Sequence, residues 1–246
     1  MHKIPFLLLL LMLPLSGFSQ SKPKSTTRQE LLWFRYYNKL FIGKHWLLHT
    51  ELDVRRFVFP GRQHQWVLPR IYLDYKFSSG LDLGMGGTYF LQALPQIDSQ
   101  AVSMIRHEIR PHQEVNYTHS WGSIKASHRV KIEERFFLRT EDHGRDFNFR
   151  FRYKFQVQVP LSANDSRFPV SLVLFDEIMF NAGKSIKHNV FDQNRIYAGF
   201  QNKLSDHWTY EVGYMNWYQQ RASGQEFFDR HIIRFTLTHS LKVGKG

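Results

Sequence analysis

The sequence predicts an all-β protein, a single transmembrane antiparallel up-and-down β-barrel. Three observations lead there: long segments that alternate in polarity, their recurrence down the whole chain, and a secretory leader ahead of them. The clearest segment is Ile124–Arg139, sixteen residues long. One face reads Ile124, Ala126, His128, Val130, Ile132, Glu134, Phe136, Leu138, and the other Lys125, Ser127, Arg129, Lys131, Glu133, Arg135, Phe137, Arg139. Successive side chains of a strand point to opposite faces, so one face is apolar and the other charged. Strands of soluble proteins are usually shorter. A barrel whose apolar face meets lipid and whose charged face lines the interior accounts for both the length and the pattern.

The N-terminus begins with His2 and Lys3 and continues through an apolar stretch, Ile4 to Leu15, to small residues at Gly17 and Ser19. That order suits a signal peptide over residues 1–19, cleaved before Gln20. The apolar stretch is shorter than the ~20 residues a membrane helix needs. Residues 20–30, with Lys22, Pro23, Lys24 and Arg28, read as a flexible periplasmic lead-in, and residues 31–242 as the barrel.

The 246-residue chain has no cysteine, which excludes a lipoprotein anchor, a disulfide scaffold and thiolate chemistry. Its mean hydropathy of −0.42 excludes a helical membrane protein but not a barrel, whose alternation averages to a middling value. Aromatic residues make up 16% of the chain, as interfacial girdles require. A soluble aromatic-rich β-sandwich is the competing class.

Taken in order, the segments run near Leu32–Ile42, His45–Phe57, Gln65–Phe77, Leu81–Leu91, Met104–Thr118 and Gly122–Arg139. They continue as Asp146–Val159, Phe168–Phe180, Phe191–Leu204, His207–Gln219 and Asp229–Leu241. Tight connections at Gly43-Lys44, Ser78-Ser79-Gly80, Trp121-Gly122-Ser123 and Ser205-Asp206-His207 alternate with longer ones at Pro60–His64, Pro95–Val102, Thr140–Arg145, Asn181–Val190 and Gln220–Phe228. Pro160–Arg167 is the exception, a longer connection on the short-turn side. Single-chain bacterial barrels carry an even number of strands. Eleven segments therefore lead to an expectation of about twelve strands, with ten the alternative and the missing one near the N-terminus.

Outward faces follow from continuous apolar alternation. They are Trp46/Leu48/Leu52/Val54, Val67/Ile71/Leu73/Tyr75/Phe77, Leu81/Leu83/Met85/Tyr89/Leu91, Phe147 to Val159 in steps of two, Trp208/Tyr210/Val212/Tyr214 and Ile233/Phe235/Leu237. The opposite faces collect both signs of charge. The lumen-lining and candidate anion-binding residues are Arg70, Arg106, Glu108, Arg110, Glu114, Arg129, Lys131, Glu133, Arg135, Arg150, Arg152, Lys154, Arg195, Glu211 and Arg234. Glu51, Asp53, Arg55, Asp74, Lys76 and Lys203 share those faces. Cross-strand Arg–carboxylate pairs can fill a small barrel and set its register, which is a purely structural role. Basic residues in excess can instead attract small anionic solutes.

These residues also carry a family resemblance. The runs His128-Arg-Val-Lys-Ile-Glu-Glu-Arg-Phe136, Asp176-Glu177 with Asn181, Phe191-Asp-Gln-Asn-Arg-Ile-Tyr-Ala-Gly199 and Glu211-Val-Gly-Tyr-Met215 resemble the Bacteroidota outer-membrane barrels grouped as "domain of unknown function 2490". The resemblance covers about Trp33 to Leu241 and implies the outer membrane of a Gram-negative bacterium, with no activity attached. The tail, Leu241-Lys-Val-Gly-Lys-Gly246, departs from common barrel practice in not ending on an aromatic residue.

Local motifs select no catalytic site. His107-Glu108 with His112 has HExxxH spacing, and in a strand the two histidines face opposite sides, so no metal site is assigned. Asp176 and Glu177 diverge for the same reason, and one of them should reach an arginine such as Arg195 or Arg152. Gly84-Met-Gly-Gly87 lacks the lysine of a phosphate loop and reads as a bend or a close approach from the lumen. No cofactor and no nucleic acid is expected. Arg62, Lys184, Lys187, His188 and Arg221 lie in the longer loops, where lipopolysaccharide head groups are within reach. Outer-membrane lipid, lipopolysaccharide, the barrel-assembly machinery and small anionic solutes are the expected partners. A narrow channel or binding barrel for small anions is the leading reading, a structural barrel with a salt-bridged lumen the second, and an outer-membrane hydrolase the third.

Overall fold

A computed structural model describes residues 24–59, 62–138, 145–162 and 166–244. The expected leader, residues 1–19, lies outside the described residues. Eleven strands among the described residues close into one barrel: β1 (Ser25–Ile42), β2 (Trp46–Phe57), β3 (Gln63–Lys76), β4 (Leu81–Leu94), β5 (Met104–Trp121), β6 (Ile124–Leu138), β7 (Arg145–Pro160), β8 (Val170–Ala182), β9 (Phe191–Lys203), β10 (Trp208–Gln220) and β11 (Glu226–Val243). Each matches one segment read from alternation, so the expectation of twelve strands, or ten, is corrected to eleven. With an odd number of up-and-down strands the first and last run the same way. The barrel closes accordingly through a parallel β1·β11 ladder, while all other neighbours are antiparallel.

Parallel pairing is slightly weaker per residue. Length offsets it here: the ladder runs without a break from Ser25↔Glu226 to Ile42↔Val243. Phe34 stacks on Phe235 across it, with ring centroids 5.3 Å apart. Residues 25–30 therefore belong to the wall and not to a lead-in. They also start at the rim of the longer loops, whereas a periplasmic lead-in calls for the opposite rim, at the short turns.

The short-turn rim carries the connections at 43–45, 77–80, 122–123 and 204–207, together with the longer one at 161–169. Gly43 and Gly122 turn there with φ of 59° and 57°, which suits residues without a Cβ. The strands, of 12 to 18 residues, are longer than the ~9–11 that suffice to cross a bilayer.

Most outward faces match the reading. Trp46, Leu52, Phe147, Phe151, Tyr153, Phe155, Tyr210, Tyr214, Ile233, Phe235 and Leu237 are exposed on the outer surface. In β3 the phase changes twice, first at His64 and Gln65, which are both buried, and again beyond Val67. Val67 is buried, while Ile71 and Leu73 are exposed. The register shifts between Val67 and Arg70, where Leu68-Pro69 inserts a bulge. Proline offers no amide proton to the ladder, and an extra residue inverts the alternation beyond it.

Polar groups on this apolar outer surface find partners on the same surface. Tyr89 pairs with His107, Tyr153 with His128 (2.8 Å) and Tyr36 with His239 (3.3 Å). Such pairing spares each group an unmet hydrogen bond among apolar neighbours.

Candidate functional site

All fifteen candidate residues project into the interior, where register decides which charges meet. Glu177 on β8 is the hub. It accepts hydrogen bonds from Arg129 Nη2 at 2.7 Å and from Arg152 Nε and Nη2 at 3.1 and 2.7 Å, and Arg195 lies at 3.8 Å. Arg152 also donates to Glu133, 2.5 Å away, and Glu133 lies 3.6 Å from Arg150. Lys131 pairs with Glu114 at 2.5 Å, Arg70 with Glu51 at 2.8 Å and Arg234 with Glu211. Lys154 donates to Gln156 at 2.9 Å.

Nearer the longer loops, Glu108 holds two arginines. Arg110 Nε and Nη2 donate to its two oxygens at 2.6 and 2.7 Å, and Arg135 does so at 2.6 and 3.3 Å. Arg150 pairs with Asp192 at 2.8 Å. Arg106 donates to Gln92 and lies over Phe137, its guanidinium 4.9 Å from the ring centroid.

The interior void is divided. A cavity of about 1220 Å³ opens among the longer loops, and a smaller one of about 340 Å³ lies on the short-turn side. Only Arg55 and Arg195 line both. Each belongs to a cross-strand pair with a tryptophan, Trp33↔Arg55 between β1 and β2 and Trp217↔Arg195 between β10 and β9. The Arg55 guanidinium lies 3.8 Å from the Trp33 ring centroid and 5.8 Å from that of Trp217. Arg195 lies 4.5 Å from Trp217 and 5.6 Å from Trp33. The four side chains interleave into a septum, which is packed against Leu31, Phe57, Met215 and Ile232. Cation–π contacts of this kind are worth about 2 kcal/mol or more once desolvated.

Two glycine sites show how tightly the lumen is filled. A Cβ at Gly84 would meet the Asp74 carboxylate, as the close-approach reading of Gly84–Gly87 anticipates. Gly199 and Gly213 face one another across β9 and β10, beneath the Tyr197 hydroxyl, which donates to Glu211 at 2.8 Å.

Other expectations resolve as follows. Glu177 turns inward to the arginines while Asp176 turns outward to Asn194. His107 lies on the outer face with Tyr89, and His112 is buried in the lumen. Lys203 is at the short-turn rim with Asp206, at 2.7 Å, and not among the lumen charges. That bond holds the Asp206 carboxyl below its ordinary range. Of the loop cations, Arg62 donates to the carbonyls of Pro95, Ile97 and Asp98 and pins loop 95–103. Arg221 pairs with Glu226 at 2.7 Å, while Lys184, Lys187 and His188 are exposed.

Sequence reasoning missed Trp33, Trp217 and Arg230. The step-two phase of Arg234 extends to Arg230 and could have found it. That Trp33 and Trp217 meet has no local signal.

A family model described as "Protein of unknown function (DUF2490)" matches residues 30–228. The chain belongs to this family. No curated protein matches the DUF2490 barrel. Among solved structures, the β domain of the Bordetella autotransporter BrkA is similar with a TM-score of 0.39 and 11% identity, covering 70% of this chain and 76% of that one. The DUF2490 barrel has an outer-membrane-type fold, with a lumen filled by its own charged side chains over much of its height.

Proposed function

We propose that this chain is an outer-membrane barrel of a Gram-negative, Bacteroidota-type bacterium, closed to through-transport, with its longer loops outside. The observation that carries the closed lumen is the Trp33–Arg55–Arg195–Trp217 septum between the two cavities. Below it the charges cross-link strands. Glu177, Glu133 and Glu114 accept from arginines and lysines on neighbouring strands and so hold the register. The leader over residues 1–19 would deliver the chain to the periplasm and the barrel-assembly machinery would insert it. Lys184, Lys187 and His188 would face lipopolysaccharide.

A narrow anion channel is the competing reading, favoured by the basic excess in the lumen. Planar-bilayer recording separates the two. The wild-type protein should give no conductance steps at high protein load, while the Trp33→Ala/Trp217→Ala variant, which removes the septum's rings, should give anion-selective steps. Wild-type steps of the same size as the variant's would refute the closed barrel.

A further inference from the structure

We propose that the cavity at the longer-loop rim binds a polyhydroxylated anion, an acidic saccharide bearing carboxylate or phosphate, which enters and leaves by the same mouth. The single mouth rests on the closed-barrel reading.

The first support is charge. Seven arginines line this cavity with two aspartates, Asp146 and Asp192, and four of them, Arg55, Arg150, Arg195 and Arg221, pair with Asp53, Asp192, Glu177 and Glu226. Glu108 is shared by Arg110 and Arg135, so one carboxylate serves two cations. Among the described residues, Arg106 has no carboxylate within ion-pair distance; it meets the Gln92 amide oxygen and the Phe137 ring. Among the described residues, Arg230, fully buried against Trp217 and outside the lining, donates to the amide oxygens of Gln29, Gln219 and Gln96. A guanidinium without counter-charge is costly where protein takes the place of water. An entering anion lowers that cost. Arg106, Arg110 and Arg135 project from the adjacent strands β5 and β6; Glu108 already holds the Nε and Nη2 groups of Arg110 and Arg135, and the planar fork of Arg106 matches a carboxylate or a phosphate.

The second support is the rest of the lining. Amides of Gln92, Gln96, Gln193, Gln219 and Asn148 offer donors and acceptors suited to hydroxyl groups. At about 1220 Å³ the cavity exceeds the ~300–1,000 Å³ of ordinary small-molecule pockets, so it admits more than one sugar unit.

Isothermal titration of the full-length protein in detergent micelles tests this, with trigalacturonate, glucose 6-phosphate, maltotriose and inorganic phosphate as probes. At least one acidic sugar should bind with Kd below about 1 mM, and maltotriose at least about tenfold more weakly. Arg106→Gln should weaken acidic-sugar binding by about tenfold and Arg106→Lys by less, both keeping the heat-modifiable band of the folded barrel. No binding by either acidic sugar overturns the proposal. So does equal binding of maltotriose, inorganic phosphate binding as well as the sugars, or wild-type affinity in a folded Arg106→Gln. The two readings fail separately. Conductance steps blocked by trigalacturonate would refute the closed barrel and support the site; silent bilayers without binding would refute the site alone.

Discussion

Glu177→Gln tests whether the middle of the lumen is dry. The wild-type carboxylate takes hydrogen bonds from Arg129 and Arg152 at 2.7 Å and lies 3.8 Å from Arg195, on a side chain only 4% exposed. Glutamine keeps the shape and one acceptor but removes the charge, leaving three guanidiniums facing one another. Opposite unit charges 4 Å apart attract by about 4 kcal/mol at an effective dielectric of 20, against about 1 kcal/mol in bulk water. Loss of one partner from a buried ion pair costs about 3–5 kcal/mol. A dry lumen therefore predicts a loss of about 3–5 kcal/mol, and a water-filled one about 1 kcal/mol. Urea unfolding in micelles, followed by tryptophan fluorescence, measures the difference without the screening that an ionic denaturant adds. A loss near 1 kcal/mol in a variant that still migrates as a folded band would refute the dry plug.

Two further variants probe the wall. Phe151→Arg places a cation on the lipid face and should cost about 2–4 kcal/mol if residue 151 lies near mid-membrane; urea unfolding within 0.5 kcal/mol of wild type would contradict that placement. Gly213→Val forces a side chain against the Tyr197 hydroxyl and the backbone of Ala198 and Gly199, and should cost at least about 1–3 kcal/mol. Recovery of the folded, heat-modifiable band with an unchanged urea midpoint would show that the space beneath Tyr197 is open.

The eleven strands and most of their two faces were legible in the sequence. Alternation is a local property, and a wall with an apolar outer face and a charged interior enforces it residue by residue. The step-two phase therefore assigned Phe147 through Phe155 to the outer face and Arg129, Lys131, Glu133 and Arg135 to the lumen. It failed at Val67, because the bulge at Leu68-Pro69 inverts the phase and alternation alone does not mark where the extra residue sits. The count of eleven came from the residues themselves, and the expectation of twelve came from the habits of other barrels. Parallel closure is visible only when Ser25–Ile42 meets Glu226–Val243.

The candidate site divides along the same line. Composition and parity named its basic residues, yet not which of them would be neutralised. Glu177 serves three arginines and Glu108 two, while Arg106 finds only an amide and a ring. Those differences depend on register between strands. The septum depends on distance in sequence as well, for Trp33 with Arg55 and Arg195 with Trp217 come from opposite ends of the chain. The sequence by itself determined the strands, their faces and the basic excess, since each needs only a residue and its near neighbours. Only the closed barrel decided which charges pair, where the void is divided and which guanidiniums are left facing open space, because pairing energies arise between strands that meet through folding.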